Sequence, residues 1–160
     1  MTRWLSLCLL LAATSAFAQT SNLLPNPSFE AGQSTPAQWR ISTGVGRWEQ
    51  EGKEGARSLS VTGKSEDAVW WAAEGYLSLK PASLYHTSFW TRRTSGSDRT
   101  VISGLDIINR DYSAGTDWER KDFFFRTPDQ LPETYFRLGE WHASGTIWFG
   151  LILTVLVIVA

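Results

Sequence analysis

Read as an extended strand, Leu84–Arg92 divides into two sets of side chains. Tyr85, Thr87, Phe89 and Thr91 form one side and suit a core, whereas His86, Ser88, Trp90 and Arg92 form the other. The second set joins an aromatic plate, a cation and hydrogen-bonding groups, an odd mixture for an ordinary solvated face. Such a plate lies flat against the apolar face of a ligand while planar polar side chains reach its hydroxyls. Each hydroxyl bond nets only about 0.5–1.5 kcal/mol in water, so the ring decides whether binding is measurable. Trp90 is the candidate platform, with Arg92 and His86 as donors. Arg137, Trp141 and one of Trp70 or Trp71 are expected to contribute from neighbouring strands. Trp71 shares a face with Val69 and reads as core, which leaves Trp70. The plainer alternatives are that Trp90 and Trp141 fill gaps under loops, that Arg92 and Arg137 are solvated or ion-paired, and that His86 and His142 are surface residues. Trp39, Trp118 and Trp148 read as core or strand-end packing.

Cleavage of a glycosidic bond is a different demand. It needs two opposed carboxylates about 5–10 Å apart, one of them desolvated. Glu30, Glu74, Asp106 and Glu140 are available, but no sequence pattern pairs them, and no nucleophile-elbow motif supports a serine triad. No catalytic residue is expected.

The start of the chain indicates export. Met1–Ala18 carries Arg3, an apolar run from Leu5 to Ala13, and Ala16-Phe17-Ala18, the pattern of a cleaved signal peptide, so the mature chain is expected to begin at Gln19. The run falls short of the roughly 20 residues that span a bilayer. The one cysteine, Cys8, lies within this segment, so disulfides, thiolate metal sites and cysteine nucleophiles are excluded from the remainder. A formal net charge of −1, without blocks of like charge, argues against nucleic acid or an anionic membrane as partner. Of nine tryptophans only Trp4 falls inside Met1–Ala18, more than a core of this size needs.

Past an opening stretch at Asn22–Gly32, whose two prolines suit an edge strand, short strands are expected at Trp39–Ile41, Ser58–Val61, Ala68–Ala73, Tyr76–Leu79, Leu84–Arg92, Thr100–Asn109, Trp118–Arg126 and Thr134–Glu140. Asp106 falls inside one of them, and a polar hairpin loop is expected at Thr94–Arg99. Turn signals between strands and the lack of helical periodicity point to an all-β antiparallel sandwich.

The ordered set NLLPNPSFEAG…W, GARSLSV, LKPASLYHTSFWTR, DWERKDFFFRTP and RLGEW…GTIWF, from Asn22 to Phe149, resembles the CenC-type carbohydrate-binding modules. That resemblance implies a jelly-roll β-sandwich over residues 19–149 that binds sugar without cleaving it. Its implied partners are a polysaccharide or oligosaccharide and an attached glycoside hydrolase or surface complex, in a secreted, periplasmic or cell-surface setting. It also implies a structural calcium held by Glu30, by carbonyls near Lys53, and by a carboxylate just after Trp148-Phe149. Here Gly150 and Leu151 follow instead, leaving Glu30 as the only charged ligand. Residues 150–160 form an apolar tail, read as an extension of the last strand, a truncated end or, ranked below these, a membrane tail. The competing expectation is a structural or protein-binding sandwich that has lost sugar binding.

Overall fold

The computed structural model describes residues 21–42, 45–64, 66, 68–94, 101–142 and 144–157, and no helix occurs among them. Met1–Ala18, most of Thr94–Arg99 and residues 158–160 of the tail lie outside them. The strands are β1 (Trp39–Ile41), β2 (Val45–Glu49), β3 (Ser58–Gly63), β4 (Ala68–Ala73), β5 (Leu84–Arg93), β6 (Val101–Leu105), β7 (Asn109–Tyr112), β8 (Glu119–Arg126), β9 (Phe136–Trp141) and β10 (Gly145–Leu156). They form two antiparallel five-stranded sheets, sheet I in the order β1-β4-β9-β6-β7 and sheet II in the order β2-β3-β10-β5-β8. Alternation along each strand sends one set of side chains between the sheets. Val69, Trp71, Leu105, Phe136 and Leu138 come from sheet I, and Leu59, Val61, Tyr85, Phe89, Phe123, Phe125, Ile147, Phe149 and Ile152 from sheet II. Each such side chain contributes roughly 1.5–3 kcal/mol by leaving water. The Trp71 indole N–H donates to the Ser60 carbonyl at 2.8 Å and ties the two layers together.

The apolar tail is the centre of sheet II. β10 pairs with β3 through Gly145–Phe149 and with β5 through both of its halves. Between Phe149 and Ile152 it advances three residues while β5 advances two, from Thr91 to Phe89, so it holds a β-bulge. The bulge changes parity: Ile147 and Phe149 point inward before it, Ile152 and Thr154 after it. Inside, the Thr154 and Thr87 hydroxyls bond at 3.0 Å.

Asn22–Gly32 is not the edge strand expected. It is a knitted loop alongside the second half of β10, with Leu23 N–H donating to the Thr154 carbonyl and Ile152 N–H to that of Pro27, both at 2.9 Å. The Asn22 side chain grips the same strand, donating to Ile152 O (2.7 Å) and accepting from Thr154 N (3.0 Å). Phe29 adopts φ 64°, strained for a bulky residue, and is fully buried edge-on against Trp39 at 5.3 Å, a contact that offsets the strain.

Two further expectations fail on their boundaries. Tyr76–Leu79 forms no ladder; Leu77 N–H bonds to Thr134 O alone, at 2.9 Å. Thr100–Asn109 breaks at Leu105, where Leu105 and Ile108 exchange backbone bonds in a turn, and β7 begins at Asn109 and runs on to Tyr112. Asp106 sits in that turn, accepting from the Thr134 hydroxyl and Tyr135 N–H. Burial pushes the Tyr112 hydroxyl on β7 up to about 12.

Candidate functional site

Two outward faces carry the candidate residues, and they lie on opposite sides of the sandwich. On sheet II, β5 presents His86, Ser88, Trp90 and Arg92 outward, as the alternation predicts. Trp70, Arg137 and Trp141 instead belong to β4 and β9 of sheet I. The six residues therefore form two triads rather than one groove, because β9 and β4 are not neighbours of β5. Trp71 and Val69 enter the core, and Trp70 faces out, as expected.

The sheet II triad is already occupied by its own neighbours. The Arg92 guanidinium is stacked between Trp148 (4.5 Å) and Trp118 (5.1 Å) and is ion-paired with Glu51. The Lys53 ammonium lies 5.3 Å over the Trp90 ring. His86 stacks on Phe124 at 4.5 Å, with Nε2 3.2 Å from Asp122 Oδ1. On the opposite, inward-parity side of β8, at the start of this edge strand, the Lys121 ammonium holds the Glu119 carboxyl below the usual carboxylate range. A hollow of about 190 Å³ remains at the bulge, lined by Glu54, Ser88, Trp90, Arg120 and Leu153.

The sheet I triad is more open. Trp70 pairs with Gly139, so Trp141 and Arg137, two residues to either side on β9, are its diagonal neighbours. The Arg137 guanidinium lies 5.9 Å from the Trp70 ring, and Trp141 is 53% exposed with its ring 5.2 Å from that of His142. Gly139 and Gly104 give this face a low floor. In the next transverse row Arg40 of β1 faces Ala72, which faces Arg137. At the end of that row Arg40, Ala73, Gly75, Tyr76 and Tyr135 line a hollow of about 330 Å³. Arg40, Tyr76 and Tyr135 were not among the sequence candidates. Arg40 was legible by parity, one residue after the inward Trp39; Tyr76 was hidden by its assignment to a strand that does not form.

Glu30 and Glu140 hold structure. Glu30 Oε1 accepts from the N–H groups of Ala56 and Arg57, each at 2.9 Å, and fastens the loop between β2 and β3. Glu140 is fully buried in β9, where its Oε1 accepts from Val69 N at 3.1 Å. A calcium ion does not fit this arrangement. The groups aimed at Glu30 are donors rather than oxygens, Gly150 is packed near Trp90, Trp118 and Lys53, and no group of three or more His, Cys, Asp or Glu side chains poised for a metal occurs among the described residues. Glu30→Ala is expected to lower stability by about 0.5–1.5 kcal/mol, since water replaces the carboxylate at two exposed amides, whereas calcium or a chelator leaves the melting temperature of the unaltered protein unchanged. Calorimetry with and without the ion checks both.

No family model and no curated protein matches the sequence. Among solved structures, the fold is similar to the Family 16 Carbohydrate Binding Module-2, at 22% identity and a TM-score of 0.59, over 84% of this chain and 99% of that one. It is likewise similar to TmCBM61 in complex with β-1,4-galactotriose, at 15% identity and a TM-score of 0.59, over 86% and 100%. The enzymatically active domain of bacteriophage CBA120 tailspike protein 4 aligns at 13% identity and a TM-score of 0.66 over 85% of this chain, which spans 21% of the tailspike chain. The architecture is thus an antiparallel jelly-roll sandwich, a fold it shares with these solved modules.

Proposed function

We propose that this chain binds a polysaccharide or oligosaccharide on the outer face of sheet I, without cleaving it. The observation that carries the reading is Trp141: an indole 53% exposed, diagonal to Trp70, with Arg137 on the other side of Gly139 and near the Trp70 ring. An open ring on a flat surface accepts the C–H face of a pyranose, and the neighbouring guanidinium supplies donors to hydroxyls. The resemblance of fold to sugar-binding modules supports the same reading, including one solved with β-1,4-galactotriose. Exported through Met1–Ala18, the module would hold a glycoside hydrolase or surface complex on its polymer. The sequence favoured Trp90 as platform; the lysine over its ring and the stacking of Arg92 move the choice to sheet I.

Native electrophoresis in gels containing xylan, mixed-linkage glucan, mannan or laminarin tests this. Retardation by at least one polymer is expected, and Trp141→Ala is expected to weaken it about tenfold or more, the equivalent of about 1.4 kcal/mol. Trp141 is exposed at the end of β9, so the variant keeps its melting temperature. The second reading, a structural or protein-binding sandwich, is favoured by the interlocked cations and rings of sheet II. It gains if Trp90→Ala and Trp141→Ala leave migration in every gel unchanged.

A further inference from the structure

Arg40 and Arg137 flank Ala72 in one transverse row of sheet I, two strand spacings or about 10 Å apart along the backbone. Ala72 is fully buried although it faces outward, so the side chains around it roof the row. Beyond Arg40 opens the hollow of about 330 Å³, walled by the two tyrosines, with Tyr76 63% exposed. Gly75, at φ +81°, turns the chain there and leaves open space beside its Cα.

The charge on this face is one-signed where it matters. No carboxylate lines the hollow. Arg40 is exposed and forms no ion pair among the described residues, whereas Arg92 on the opposite face is both stacked and ion-paired. Of the nearby acids, Asp106 accepts from Thr134 and Tyr135, Glu74 lines a second hollow of about 400 Å³ that shares Tyr76, and Asp111 stands out on β7, level with Ile102 rather than with this row. A solvated guanidinium is ordinary; one placed at the mouth of an acid-free aromatic hollow, in line with a second, is a recognition element. Its planar fork of donors matches a carboxylate in two parallel bonds.

We infer that the glycan held on this face carries carboxylates, a uronic-acid-containing polysaccharide whose acidic groups meet Arg40 and the row that continues to Arg137. This rests on the sugar-binding reading above and narrows it. A sugar ring carrying a carboxylate would stand against Tyr76 or Tyr135 with its acid toward Arg40, while the neutral part of the polymer continues over Trp70 and Trp141. The protein's formal net charge of −1 provides no general attraction for polyanions, so a preference for acid must come from this placement.

The test is tryptophan-fluorescence titration of the full chain at about 0.15 M salt, where charges beyond ~8 Å are screened. The probes are polygalacturonate, alginate and glucuronoxylan, each beside its carboxyl-reduced form, with dextran sulfate as a non-carboxylate polyanion. At least one acidic polymer is expected to bind about tenfold more tightly than its reduced form, the worth of one charge-assisted hydrogen bond. Arg40→Gln should bring the pair together, Arg40→Lys should recover part of the difference, and Trp141→Ala should weaken both members. Arg40 is exposed on an edge strand, so its variants retain the melting temperature. Equal binding within every pair, or a preference that survives Arg40→Gln, overturns the inference while sugar binding stands. Dextran sulfate binding as tightly as the best uronan overturns the carboxylate in favour of a general anion site. Binding by no polymer, acidic or reduced, removes both readings.

Discussion

A chain ended after Phe149 is expected not to fold. The residues lost are the second half of the central strand of sheet II, which carries Ile152 and Thr154 into the core and pairs with Phe89 to Tyr85 of β5. The Asn22 clamp and the two backbone bonds from the opening loop to β10 are lost with them. Ile152→Ala alone should cost about 2–5 kcal/mol through the cavity it leaves. Whole domains are stable by about 5–15 kcal/mol, so removing the strand exceeds what the remainder can supply. The expected observations are loss of near-ultraviolet circular dichroism and of cooperative melting. A cooperative transition within a few degrees of the full chain would show that β10 is dispensable beyond its bulge.

The second large effect is expected at Gly139, which lies opposite Trp70 in the β4–β9 ladder. A Cβ there would fall on the Val69 carbonyl oxygen, 2.5 Å from Trp70 Cβ and 2.7 Å from its Cα. These are backbone or backbone-adjacent atoms, and moving them breaks the pairing that sets Trp70 beside Arg137. Overpacking typically costs 1–3 kcal/mol when side chains can shift; here they cannot, and Gly139→Val should cost about 3 kcal/mol or more. Gly139→Ala should be intermediate, since the first carbon already collides. Denaturant unfolding reads the stability, and polysaccharide retention reads the displaced platform. If Gly139→Val unfolds like the unaltered protein, the close approach of β4 to β9 is wrong.

The strand parities were legible because they are local. Leu84–Arg92 alternates so cleanly between core and non-core types that its two faces follow from residue type alone, and the opposed pair Trp70 and Trp71 has one solution once Val69 is placed inward. Sheet membership was not legible. β5 and β9 belong to different sheets, and neither order follows the chain, so nothing near His86 or Arg137 records that they look in opposite directions. That is why six candidates separate into two triads. The strand ends failed for a related reason. Tyr76–Leu79 alternates adequately but finds a single backbone partner in Thr134, while Leu105 and Ile108 close a turn that composition did not mark. The tail read as unbroken apolar sequence, and the parity change at its bulge depends on register with β5, not on residue type.

The opening loop runs antiparallel to the second half of β10, with Leu23 bonded to Thr154 and Pro27 to Ile152, so residues 21 and 157 lie close to one another. Tension drawn through those two ends meets the bonds one after another, beginning at the Asn22 clamp and Leu23, and opens them like a zip instead of shearing them together. Load that enters through Trp70 and Trp141 passes into β4 and β9, which belong to the other layer. Were the proposed sheet I site to grip a fixed polymer while residues 21 and 157 are pulled, the N-terminal seam would give way first and sheet I would stay in place.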